Sequence, residues 1–197
     1  MIMRVTLMKH AIIYIPGLGD HYDPFRATAL RLWLLLGVKT QLLPMRWYNN
    51  ESYEHKYQRA SNAITDLTRR GYKVSLVGES AGASMAINLF ARHPQLNSVV
   101  LIAGVNQATA PVSPHTLRKA PAFGVSKLAI ENSLARLSSD RLQHIHTVSG
   151  LIDHVVNVRY SYVHGARHHR VIAFGHLLTI TLCLTLYSWY IVHLARQ

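Results

Sequence analysis

One cysteine, Cys183, is all the thiol chemistry in this 197-residue sequence. An intramolecular disulfide is excluded, and the usage accords with a reducing, cytoplasmic setting. Acids are scarce too: nine Asp and Glu stand against 21 Lys and Arg, a formal net charge of +12. Such an excess suits nucleic acid, an anionic membrane surface or a basic proteome. The cations are scattered, however, from Arg26 and Arg31 to Arg167 and Arg170, with no basic cluster interleaved with aromatics. No nucleic-acid partner is expected. No metal-ligand cluster and no dinucleotide fingerprint occur, so neither metal nor cofactor is expected. Repeats, low-complexity tracts and linkers are missing as well, which leaves one domain over residues 1–197. Residues 1–9 are too short and too mixed for a signal peptide.

What is present is alternation. Apolar, strand-like runs fall at 11–15, 39–45, 73–77, 98–104, 144–149 and 170–174. Helix signals fall between them. Asp23-Pro24 offers a cap and a first-turn proline, followed by an apolar face of Leu30, Trp33, Leu34 and Leu36 that ends at Gly37. A second helix runs from about Asn50 to Arg70-Gly71, with cations in its last turn and glycine just past it. Others cover 83–93 and a stretch near 127–137. The pattern predicts an α/β fold: a mostly parallel sheet of about six strands with helices on both faces. All strand C-termini then share one edge, where ligand sites form. Residues 107–142 are a candidate small lid.

The most informative stretch is Gly78-Glu79-Ser80-Ala81-Gly82. An apolar β-branched run (Val74, Leu76, Val77) leads into it and an alanine-rich helix follows. This is the strand, turn and helix that a G-x-S-x-G nucleophile elbow requires. A serine at such an apex is strained, and glycines two residues away on either side remove Cβ atoms that would collide. The Ala81 N–H then lies at a helix N-terminus, where developing negative charge is favoured.

The elbow, the glycine loop Pro16-Gly17-Leu18-Gly19 and two downstream motifs together resemble the α/β-hydrolase fold, over nearly the whole chain. In that family the order is nucleophile, acid, histidine. The resemblance makes Ser80 the nucleophile. It assigns the acid to Asp153, in a Gly-x-x-Asp-x-x-Val setting after the penultimate strand; Asp140 is the weaker alternative. It assigns the base to His176, one of 13 histidines, because a Gly-His pair follows the last strand. His164, His168 and His169 precede that strand and are expected to be exposed. The glycine loop occupies the place of the family's His-Gly-x-Gly, with proline in place of histidine. It implies an oxyanion hole from the N–H groups of Leu18 and Ala81.

The implied activity is acyl transfer on a small-molecule ester, thioester or amide. A catalytically silent scaffold on the same fold would instead show Asp153 and His176 misplaced, with Ser80 more than about 5 Å from the imidazole. Residues 171–195 contain no Asp, Glu, Lys or Arg. They read as the last helix packed on the sheet, or as a segment touching a membrane surface. Trp33, Trp47 and Tyr48 fit a pocket or the core equally.

Overall fold

The computed structural model describes residues 9–197. Residues 1–8, on which most of the signal-peptide reading falls, lie outside the described residues. Among the described residues six strands form one sheet: β1 (His10–Ile15), β2 (Lys39–Leu42), β3 (Lys73–Glu79), β4 (Val99–Ile102), β5 (Ile145–Ser149) and β6 (Arg167–Arg170). Their order is β2-β1-β3-β4-β5-β6 and every pairing is parallel. The chain steps outward from β1 to β2, then crosses back to build the other half. The direction of winding thus reverses between β1 and β3, the crevice where open parallel sheets bind ligands.

Burial on both faces explains the composition of the central strands. Ala11 to Ile15 are all inaccessible. Ala11, Ile13 and Ile15 point into one core with Ile64, Ile87 and Phe90. Ile12 and Tyr14 point into the other, with Trp33, Ile191 and Val192. Helices α2 (Tyr53–Arg69) and α3 (Ala81–Arg92) cover the first face. On the second lie α1 (Asp23–Leu32), α8 (His176–Leu184) and α9 (Ser188–Arg196). The Ser52 hydroxyl caps α2 by accepting the His55 N–H at 3.2 Å.

Several boundaries differ from the sequence expectation. Asp23 is the first residue of α1 rather than its cap, and its carboxylate meets Arg26 at 2.8 Å. Trp33 is buried, but Leu34 is exposed in the tighter 3-10 turn that follows α1. Residues 107–142 hold four short helices, α4 (Pro114–Lys119), α5 (Pro121–Leu128), α6 (Ile130–Leu134) and α7 (Ser139–Leu142). The final strand is the polar run Arg167–Arg170, not the apolar run 170–174. Among the described residues it has one neighbour, and it faces solvent, so it carries charge instead of apolar side chains, as edge strands do. His168 and His169 therefore lie in this strand. His168 is exposed, whereas His169 is half-buried between His146 and Tyr190.

The C-terminal segment is two helices bent by 75°. Thr185 turns its hydroxyl back onto the Thr181 carbonyl at 2.7 Å, a bond that competes with the helical ladder. Among the described residues no single helix is long and apolar enough to cross a membrane, although α8 and α9 taken together would be. The end of α9 is docked on the sheet. The Ala195 carbonyl accepts from Ser75 Oγ at 2.6 Å, Ser98 Oγ at 2.8 Å and Asn97 Nδ2 at 3.0 Å.

Candidate active site

Ser80 stands where β3 ends and α3 begins, at φ 49° and ψ −119°. That region is costly for a residue with a Cβ, and the surrounding bonds hold it there. Its N–H donates to the Ile102 carbonyl of β4 at 2.9 Å. Its carbonyl accepts from Val105 at 3.0 Å and Ala83 at 3.2 Å. The flanking glycines admit the close packing that this turn needs. A Cβ on Gly78 would fall 2.8 Å from Ala83 Cα, and one on Gly82 would fall 2.2 Å from the Ile15 carbonyl oxygen.

Asp153 lies in the loop after β5, and His176 opens α8 at the end of the loop after β6. These loops are tied side by side: Leu151 N–H donates to the Ala173 carbonyl at 2.9 Å, and Gly175 N–H to the Ile152 carbonyl at 2.8 Å. An isolated parallel bridge pairs Ile152 with Phe174. As a result, His176 Nδ1 lies 2.7 Å from Asp153 Oδ2, and His176 Nε2 lies 2.9 Å from Ser80 Oγ. The Asp153 side chain is only 3% exposed and that of His176 14%. Burial pushes the Asp153 carboxyl upward. The His176 bond and charge, with N–H donation from Val156 and Val155, outweigh it and hold the carboxyl below its ordinary value. Asp140, the weaker acid candidate, is exposed on α7 and takes no part.

The glycine loop faces the serine from the end of β1. Gly17 approaches so closely that a Cβ there would lie 2.8 Å from Ser80 Cβ, and Gly19 has φ +116°. Leu18, Ser80 and Ala81 border a cavity of about 180 Å³. Val105, Pro111, Val112, Phe123, Val155 and Val156 give it an apolar wall, with Ser113 and Thr116 beside them. The segment 107–142 thus supplies much of that wall. Trp33 and Trp47 are core residues: Trp33 Nε1 donates to the Leu184 carbonyl and Trp47 Nε1 to the Pro16 carbonyl. Tyr48 is half exposed and borders a separate depression with His115. An apolar depression of about 190 Å³ between α1 and α8 does not include Ser80. Among the described residues no group of three or more His, Cys, Asp or Glu is arranged to hold a metal.

Glu79, Arg26 and Tyr14 escaped the sequence reading. Glu79 served only as a spacer in the motif and Arg26 only as one of the scattered cations. The structure buries both, at 1% and 4% exposure. Glu79 Oε1 receives Arg26 and also the Gly17 N–H at 3.1 Å, while Tyr14 Oη donates to Oε2. Burial, the Glu79 charge and this bond push the Tyr14 phenol well above its ordinary value. The signal was available: a carboxylate directly behind the apolar run Leu76-Val77-Gly78 needs a buried partner.

No protein-family model matches the sequence, and no curated protein does. Solved structures do match. Carboxyl esterase 2 of the mycorrhizal fungus Tuber melanosporum is 14% identical, with a TM-score of 0.65 over 98% of this chain and 79% of that one. A Paleococcus ferrophilus monoacylglycerol lipase is 14% identical, at 0.59 over 84% and 85%. Est1E from Butyrivibrio proteoclasticus is 10% identical, at 0.60 over 94% and 89%. With six parallel strands and two helical layers among the described residues, the chain has the α/β-hydrolase fold.

Proposed function

We propose that the protein is a serine hydrolase that cleaves a carboxylic ester, thioester or amide through an acyl-enzyme on Ser80. The observation that carries this reading is the continuous chain from Ser80 Oγ to His176 to Asp153, at 2.9 and 2.7 Å. A silent scaffold is disfavoured by the same distances. The esterase and lipase names of the structural neighbours agree with hydrolysis. In this reading His176 Nε2 takes the Ser80 proton as Oγ attacks the carbonyl carbon, and the Leu18 and Ala81 N–H groups receive the oxyanion. Asp153 holds the Nδ1–H tautomer and stabilises the imidazolium. His176 then protonates the leaving group. Water, deprotonated by His176, attacks the acyl carbon and releases the acid and Ser80.

The apolar wall beside Ser80 suits the acyl side of a small substrate. Residues 107–142 cover this end of the cavity, with α5 and α6 packed on α3. A fluorophosphonate probe should label the wild-type protein and spare Ser80→Ala. Equal labelling of both removes the reading. A panel of p-nitrophenyl esters of graded chain length then defines the acyl preference.

A second reading, favoured by the apolar residues exposed around the site, is that this hydrolase works at a membrane surface. Ile152, Val155, Phe174, Leu177 and Leu178 are all at least 46% exposed and adjoin Asp153 or His176 in sequence. Co-sedimentation with anionic vesicles, lost on Phe174→Ser/Leu177→Ser, supports it; absence of binding by the wild-type protein refutes it.

A further inference from the structure

We infer that the buried Glu79–Arg26 pair is a positioning device that sets the Leu18 N–H against Ser80; this rests on the hydrolase reading above. Four hydrogen bonds anchor the loop around Leu18. On its N-terminal side, the Pro16 carbonyl accepts from Trp47 Nε1 at 3.0 Å and the Gly17 N–H donates to Glu79 Oε1 at 3.1 Å. On its C-terminal side, the Gly19 carbonyl accepts from Arg26 Nη1 at 2.8 Å and from the Tyr22 N–H at 3.0 Å. The second nitrogen of the same guanidinium pairs with the same Glu79 oxygen. One ion pair therefore grips the Gly17 N–H through the carboxylate and the Gly19 carbonyl through the guanidinium, one residue to either side of Leu18.

The grip is referenced to the nucleophile, because Glu79 is the residue before Ser80. Tyr14 donates to the other carboxylate oxygen and ties the pair into β1, the strand from which the loop departs. Arg26 is held in turn by Asp23 Oδ1 at 2.8 Å. The planar fork matters here, since one ammonium cannot reach Gly19, Asp23 and Glu79 from opposite edges as a guanidinium does. The pairing has an electrostatic consequence as well. An uncompensated carboxylate next to Ser80 would oppose the oxyanion forming on the substrate, and Arg26 cancels it.

The experiment uses the full chain with Arg26→Lys and Glu79→Gln. Arg26→Lys keeps the charge, and Glu79→Gln keeps an acceptor for Gly17, so either one suffices if the other fails to fold. Hydrogen exchange of residues 16–22 is compared with that of β3 and β4. Esterase rates are measured on p-nitrophenyl butyrate and divided by the sites titrated with a fluorophosphonate. Exchange at 16–22 should rise about tenfold or more with β3 and β4 unchanged. The kcat per titrated site should fall roughly 10- to 100-fold with KM within about twofold, since a displaced donor loses part of what a missing one loses. Unchanged exchange at 16–22 overturns the clamp, whatever the protein catalyses. Faster exchange with an unchanged kcat per site overturns its positioning role. A wild-type protein that takes no probe and cleaves no ester sinks the hydrolase reading instead, and the exchange data still judge the clamp.

Discussion

A Cβ built on Gly82 would lie 2.2 Å from the carbonyl oxygen of Ile15 and 2.6 Å from that of Pro16. The first turn of α3 is pressed against the end of β1, and backbone on both sides leaves no flexible group to yield. Gly82→Ala should therefore destabilise the fold by about 3 kcal/mol, the upper range for overpacking. It should also spoil labelling of Ser80, because the displaced loop carries Leu18. Urea denaturation together with probe labelling checks both effects.

The bond between His176 Nδ1 and Asp153 makes Asp153→Asn informative. The amide has nearly the same shape, but it favours the wrong imidazole tautomer and removes the charge opposite the imidazolium. The expected result is a drop in kcat of about 10³-fold or more with KM little changed, seen in steady-state kinetics on p-nitrophenyl butyrate. A drop below tenfold would shift the acid role away from Asp153.

The cavity of about 180 Å³ beside Ser80 predicts a chain-length limit. Val112 is partly exposed on its wall at the margin of the core, so Val112→Phe can fill space in the cavity. It should lower kcat/KM for an octanoyl ester about tenfold and leave that for an acetyl ester within twofold. Parallel losses on both esters would place the acyl chain elsewhere.

Two buried histidines predict a loss of stability on mild acidification. Burial holds His146 at about 4, assisted by the nearby His169, Arg167, His144 and His193. Burial, Arg196 and Lys73 hold His10 at about 4 as well, against an upward pull from the Ala195 carbonyl. Both folded values lie below the ordinary 6.5, so the unfolded chain takes up protons first as the pH falls. Stability is fully present above pH 6.5 and declines between about 6.5 and 4, with a limiting slope of about 1.4 kcal/mol per pH unit for each ring. Urea midpoints measured from pH 7 to 4.5 should show this decline, and His146→Gln should reduce its slope. A flat profile would place both rings in contact with water.

The strand alternation and the strand–turn–helix around Ser80 were legible in the sequence because they are local properties: a buried parallel strand must be apolar, and a strained serine turn needs slim neighbours. Asp153 and His176 were pointed to by the resemblance to the α/β-hydrolase fold, through their places after the last two strand-like runs. The sequence pattern misplaced the last strand because an edge strand is written in polar residues, Arg167–Arg170, while in the apolar run 171–174 only Val171 and Ala173 turn into the core and Ile172 and Phe174 face outward, without a regular ladder. It also joined α8 and α9, because composition does not register a 75° bend.

Only the tertiary structure decided which side chains meet. Ser80 and His176 are 96 residues apart, and Glu79 and Arg26 are 53 apart. Such distances are set by the order β2-β1-β3-β4-β5-β6 and by the ties between the loops after β5 and β6. The role of Glu79 became legible only when packing removed it from water, since a buried carboxylate must find its partners.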